Sequence, residues 1–257
     1  MEADAAFATR AREHGVRTPE VVRGVSGDVV VEVGGHPLRV WEWVDLGSRT
    51  RRLDPSAVGD LVARLHRCAP ASDEPVGSWF AAGFGQESWR ALHEQVAAHG
   101  APFAEALGRL LPDFVAVESV IEPHRSPILC HRDLWADNVL PDETGRPWVV
   151  DFENLGPADP SQELAMVLFE FGDGDPSRAR DLHGAYVEAG GPGRVTRRGH
   201  FTMLVAAQAH IGQLACARWV GAVEDEPRRA LLADSFDEIV QDPVTLGRID
   251  GILAALG

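Results

Sequence analysis

Within one short stretch, Ile128-Leu-Cys-His131-Arg132-Asp133-Leu-Trp-Ala-Asp137-Asn138-Val-Leu140, stand a histidine, two carboxylates and an amide. The pattern is H-x-D-x4-N. Asp151, followed by Phe152 and Glu153, comes thirteen residues after Asn138. A carboxylate at Asp133 can orient an attacking hydroxyl and accept its proton. The amide oxygen of Asn138 and the carboxylate of Asp151 are hard ligands suited to Mg²⁺ on the phosphates of ATP (or GTP). The chain holds only two asparagines and ten histidines. The pattern is therefore expected by chance on the order of 0.01 times, before the later aspartate is required.

The elements around these residues must bring them together. Short apolar runs at 127–130, 138–140 and 148–151 surround the loop, and the last two are joined by the turn-rich segment 142–147. This predicts a small β-hairpin that returns Asp151 beside Asn138. Upstream, 3–14 reads as a helix stopped by Gly15. The β-rich runs 28–33 and 38–44 flank Gly34-Gly35, which predicts a second hairpin. Asp54-Pro55 opens a helix through Cys68, with Val58, Leu61, Val62 and Leu65 on one stripe. Helices are predicted at 86–98 and in two pieces over 102–122, broken at Pro112. Asp159 reads as an N-cap with Gln162 completing a capping box. Helices then follow at 161–171, 176–189, 195–220, 226–240 and 243–256. Glu170, Asp173 and Asp175 read as a solvated helix end. The order implies an α+β fold.

Composition bounds the function. The chain has 257 residues, enough for one large or two-lobed domain. Its formal charge is −15, and all 24 basic residues are arginine. An acidic chain with no basic cluster points away from nucleic acid as a partner. The absence of lysine excludes a Walker A loop and lysine Schiff-base chemistry. No apolar run reaches the roughly 20 residues of a membrane span, and the N-terminus shows no signal core, so a cytoplasmic location is expected. Cys68, Cys130 and Cys216 lack metal-ligand spacing and read as buried free thiols.

The segment 131–154 resembles the aminoglycoside phosphotransferase and choline-kinase-like family, relatives of protein kinases. His131-Arg-Asp133-Leu-Trp-Ala-Asp137-Asn138 is similar to its catalytic loop, and Asp151-Phe152-Glu153 to its metal-binding segment. The run Val40-Trp-Glu42-Trp43-Val44 looks like its interlobe strand, and the helix ending Ala63-Arg-Leu-His66 like the one that follows. The resemblance implies a protein-kinase-like two-lobed fold. Its small β N-lobe would be 1–47. Residues 48–257 would form a large helical C-lobe with the catalytic loop and an acceptor subdomain. It implies Asp133 as catalytic base, Asn138 and Asp151 as Mg²⁺ ligands, and His131 as a brace of the loop. Main-chain groups of Glu42, Trp43 and Val44 would meet the base of ATP. Asp137 and Glu153 are candidate substrate contacts, and Phe201, His210 and Trp219 are expected in the acceptor cap.

The implied activity is phosphoryl transfer to a hydroxyl of a small molecule such as an aminoglycoside, amino alcohol or sugar. Asp133, Asp137, Asp151 and Glu153 favour a cationic or polyhydroxyl acceptor. The family also carries a phosphate-covering loop and a strand lysine ahead of the first helix seen here. This sequence has neither, so an incomplete N-lobe is expected. That points to a fragment of a working kinase or, alternatively, to a non-catalytic kinase-like binding module. A hairpin left with an unpaired edge is also open to pairing with a second copy, as a homodimer.

Overall fold

The computed structural model describes residues 2–222, 232, 233, 236 and 239–257. In chain order the described helices are α1 (Glu2–Glu13), α2 (Pro55–Cys68), α3 (Gln86–Ala98), α4 (Ala104–Val117), α5 (Pro160–Gly172), α6 (Pro176–Glu188), α7 (Thr202–Gly221) and α8 (Leu246–Leu256). The strands are β1 (Val21–Val22), β2 (Val31–Val33), β3 (His36–Leu38), β4 (Val40–Trp41), β5 (Ile128–Cys130), β6 (Val139–Pro141), β7 (Pro147–Val149) and β8 (Gly156–Ala158). Two compact units form. One comprises Met1–Val76, His124–Thr196 and Ala254–Gly257, the other Gly77–Pro123 and Arg197–Leu253.

All eight strands lie in the first unit, as four antiparallel two-stranded ribbons. β2 and β3 close over Gly34-Gly35, with φ of 61° and 81°. Positive φ at both turn residues suits the twist of a tight hairpin. The hairpin is shorter than its β-rich sequence suggests, because 28–30 and 42–44 are not strand. Chain that reads as one strand over 38–44 is divided. Leu38 pairs with Val31, while Val40 and Trp41 pair with Val22 and Val21. A two-residue strand such as β1 is too short to show a period.

Helix α2 starts where the sequence places it, with the Asp54 carboxylate accepting from the Ala57 amide at 2.8 Å. It packs on α6 through Gly59, where an added Cβ would stand 2.3 Å from the Leu182 carbonyl oxygen. Asp159 caps α5 by accepting from the Ser161 amide at 2.8 Å. Every residue of α5 except Ser161 is buried, so this helix is the core of the first unit.

The second unit packs α3, α4 and α7 around Trp89, Phe103, Leu107, Phe114 and Trp219. α4 runs through Pro112 instead of breaking there; the proline forfeits only the bond its missing N–H would make to Gly108. The last long helix begins at Thr202, later than the sequence suggests, after a 3-10 turn over Arg198–Phe201. Most of the helix read at 226–240 lies outside the described residues. Cys68, Cys130 and Cys216 are all buried and unpaired. No described helix is long and apolar enough to cross a membrane.

Candidate active site

Strand β5 delivers the chain to His131, and the path then turns sharply. Arg132 takes a left-handed φ of 65°, a conformation that costs a non-glycine residue energy. The amides of Asn138 and Val139 close a turn on the Trp135 carbonyl at 2.9 and 3.0 Å. β6 and β7 pair Val139 with Val149, and the Val150 amide donates to the Asn138 carbonyl at 2.9 Å. Asp151 is the next residue, so the hairpin register brings it to the end of the loop. Asp151 is itself left-handed, φ 59°, and caps a 3-10 turn over Phe152–Asn154.

That turn carries Asn154 back to the loop. Asn138 Nδ2 donates to Asp133 Oδ2 at 2.9 Å, and Asn154 Nδ2 donates to the same oxygen at 3.0 Å. Both asparagines of the chain thus fix one carboxylate. Burial pushes the Asp133 carboxyl above the usual aspartate value, outweighing the amide from Asn154 that favours the anion.

Two glutamates of α5, seven residues apart and hence on one helix face, hold the loop from below. Glu163 accepts from the Arg132 amide, and Glu170 Oε1 accepts from the Ala136 amide at 3.1 Å. Glu170 is not the solvated helix end its sequence suggests. It is 2% exposed, with Arg51 Nε 3.1 Å away, and burial raises its carboxyl. Glu163 also accepts from His66 Nε2 at 2.7 Å. The Tyr186 hydroxyl reaches His66 Nδ1 at 2.8 Å and accepts from the Gly193 amide at 2.8 Å. Burial opposes the charge on Glu163, yet the His66 and Arg132 donors hold its carboxyl below the ordinary glutamate value. Ligand atoms of His66, Cys130 and Glu163 lie within 4.8 Å of one another. The hydrogen bonds that Glu163 takes make this cluster a brace of the loop.

His131 Nε2 donates to the Val150 carbonyl at 3.0 Å, tying the loop to the residue between β7 and Asp151. Its Nδ1 is buried with no partner among the described residues, and burial holds its pKa below 6.5. Burial thus favours the neutral ring. The Arg132 side chain adds a second tie, Nε to the Asn154 carbonyl at 2.6 Å.

The sequence of residues 1–200 matches the model of a phosphotransferase enzyme family. The chain belongs to that family. Solved structures share its fold. An aminoglycoside phosphotransferase from Alicyclobacillus acidocaldarius is 18% identical with a TM-score of 0.61, over 99% of this chain and 81% of that one. A spectinomycin phosphotransferase crystallised with ADP and spectinomycin is 14% identical with a TM-score of 0.65, over 99% and 82%. A choline/ethanolamine kinase family protein from Mesorhizobium loti is 20% identical with a TM-score of 0.53, over 99% and 83%. No curated protein matches the chain. The fold is accordingly kinase-like, with a small sheet-bearing N-lobe and a helical C-lobe.

The remaining candidate residues differ in exposure and partners. Glu42 and Trp43 are exposed and Val44 is half-buried. The Glu42 amide donates to the Glu20 carbonyl at 2.7 Å, and Trp43 Nε1 donates to Asp45 at 3.0 Å. Asp137 and Glu153 are exposed but matched by arginine: Arg49 lies 3.3 Å from Asp137, and Arg39 lies 3.2 Å from Glu153. The acidic patch of four carboxylates is thereby half-compensated. In the second unit Phe201 and Trp219 are core residues, while His210 stacks on Trp79 at 5.1 Å.

The donor set fits a hard divalent cation. Asn138 uses its NH₂ group on Asp133, which leaves the amide oxygen to coordinate. Asp151 spends one oxygen on the Glu153 amide at 3.3 Å and keeps the other. An amide oxygen and a carboxylate suit Mg²⁺ and offer nothing to a thiophilic metal. Asn154, Glu163, His66 and Tyr186 are residues that the motif alone does not reveal. A charged Glu163 inside the apolar run of α5 is the visible trace of the brace.

Proposed function

We propose that this chain is an ATP-dependent phosphotransferase acting on a hydroxyl of a small molecule. The observation that carries the reading is the fixation of Asp133. Two side-chain amides hold Oδ2, and among the described residues Oδ1 has no partner. Oδ1 is the atom that would receive the proton of the acceptor hydroxyl. As that O–H bond breaks, the oxygen forms a bond to the γ-phosphorus, and the bond to the bridging oxygen of ADP breaks. The raised proton affinity of Asp133 suits a base in this role. Asn138 and Asp151 would hold Mg²⁺. When bound, the ion neutralises charge on the phosphates.

Residues 1–47 would form the nucleotide-side lobe. Residues 48–257 would supply the catalytic loop and, in the C-terminal helices, the acceptor subdomain. Proteins of this fold have been crystallised with ADP, AMP and GDP. This supports a purine nucleotide as donor, and we take ATP as the first choice over GTP. Spectinomycin and kanamycin in neighbouring structures support an amino-sugar or amino-alcohol acceptor. The test is ADP release with Mg²⁺-ATP across a panel of aminoglycosides, amino alcohols and sugars. Release dependent on one acceptor class and lost in Asp133→Asn supports the reading. A second reading is a kinase-like binding module. Nucleotide binding with no release across the panel would establish it.

A further inference from the structure

One arginine is fixed beside Glu153 of the candidate metal-binding segment. Phosphoryl transfer needs a fixed cation on the nucleotide phosphates. Arg39 lies on the link between β3 and β4, and its side chain is only 10% exposed. Arg39 Nη1 donates to Asp4 of α1 at 2.6 Å, and Nη2 donates to Glu153 at 3.2 Å. The guanidinium also lies over the Trp41 ring, 5.2 Å from its centroid. Arg39 is thus a cation anchored on the first helix and reaching the metal-binding segment.

It also lines a cavity. Thr18, Arg39, Trp41, Asp151, Phe152 and Glu153 border a hollow of about 310 Å³, within the size range of small-molecule sites. Thr18 is fully buried, and its hydroxyl has no hydrogen-bond partner among the described residues. Buried hydroxyls are rarely left unpaired, so this one retains an unspent donor at the border of the hollow. Asp151, the proposed metal ligand, borders the same hollow.

We infer that Arg39, with the Thr18 hydroxyl, is the group that grips the phosphates of the nucleotide. Asp4 plays the part of a fixed carboxylate that aims the guanidinium. Glu153 is 71% exposed, so it can give up its bond to Arg39 without loss of a buried contact. Arginine presents two parallel N–H donors to a phosphate, a geometry that lysine cannot offer. This assignment rests on the proposed nucleotide-dependent function.

The test compares ATP with adenosine, which lacks phosphates, by isothermal titration in the presence of Mg²⁺. In Arg39→Gln, ATP affinity should fall about tenfold or more, the scale of a lost charge-assisted hydrogen bond, while adenosine affinity holds. Arg39→Lys keeps a cation on Asp4 but loses the two-pronged donor. It should lose less ATP affinity than Arg39→Gln, again with adenosine unchanged, and it decides the question if Arg39→Gln does not fold. Unchanged ATP affinity in a folded variant, or parallel loss of both ligands, overturns the assignment. Failure of the functional proposal looks different: ATP binding remains sensitive to Arg39 while no acceptor is phosphorylated.

Discussion

Asn154 donates its side-chain amide to Asp133 Oδ2 at 3.0 Å, although twenty residues separate them in the chain. The bond joins the segment after Asp151, the proposed metal ligand, to the proposed base. It leaves one carboxylate oxygen for chemistry and uses the other for aim. Asp133→Asn keeps the shape but removes the proton acceptor. Turnover should fall by about 10²–10⁴-fold while nucleotide affinity is retained. Steady-state rates set beside nucleotide titrations check this, and near-normal turnover would mean that another group takes the proton.

The acid side of the rate profile should carry the same residue's signature. Burial raises the Asp133 pKa above 3.8, and the base works only when deprotonated. Activity should therefore be lost as pH falls through a midpoint above 3.8. A profile of kcat/KM against pH would show it, and a midpoint at or below that value would contradict the assignment.

Glu163 supports the loop from within the core. Glu163→Ala leaves the Arg132 amide and His66 without their acceptor and opens space in the core. A loss of roughly 3 kcal/mol or more of stability is expected, as for other broken buried polar pairs. Glu163→Gln retains an acceptor for Arg132 and should recover part of it. Denaturant midpoints of the three proteins decide the matter; equal midpoints would show that the brace carries no load.

His131 links stability to mild acid. Its folded pKa is depressed below 6.5, so below that pH the unfolded chain binds a proton that the folded chain refuses. Stability should then drop as pH falls below 6.5. Glu163, also depressed in the fold, adds a second loss of the same sign below 4.5. In His131→Gln the decline of Tm just below pH 6.5 should be shallower than in the natural protein. Parallel slopes would assign that decline to other groups.

The loop 131–138 and its hairpin were legible because their signals are local. Turn residues at 142–147 and the register of two short strands suffice to set Asp151 beside Asn138. Helix starts were legible at Asp54 and Asp159, where a capping carboxylate precedes proline. Other features depend on tertiary contact. Glu170 has the sequence context of an exposed helix end, and only the Ala136 amide and Arg51 show why it is buried. β1 has two residues and exists because Val40 and Trp41 lie across from it. Pro112 reads as a breaker, but the surrounding apolar packing of α4 carries the helix through it. Arg39 is one arginine among 24, and nothing in its flanking sequence marks it.

The three cysteines give the molecule a built-in record of its own opening. Each thiol is sealed from solvent, and burial pushes all three pKa values up, that of Cys216 to about 12. Only the thiolate reacts with alkylating reagents, so all three are inert while the fold is closed. Cys68 and Cys130 belong to the unit that holds the loop 131–138, and Cys216 belongs to the other. The order in which they become reactive therefore tells which unit gives way first, with no label added to the chain.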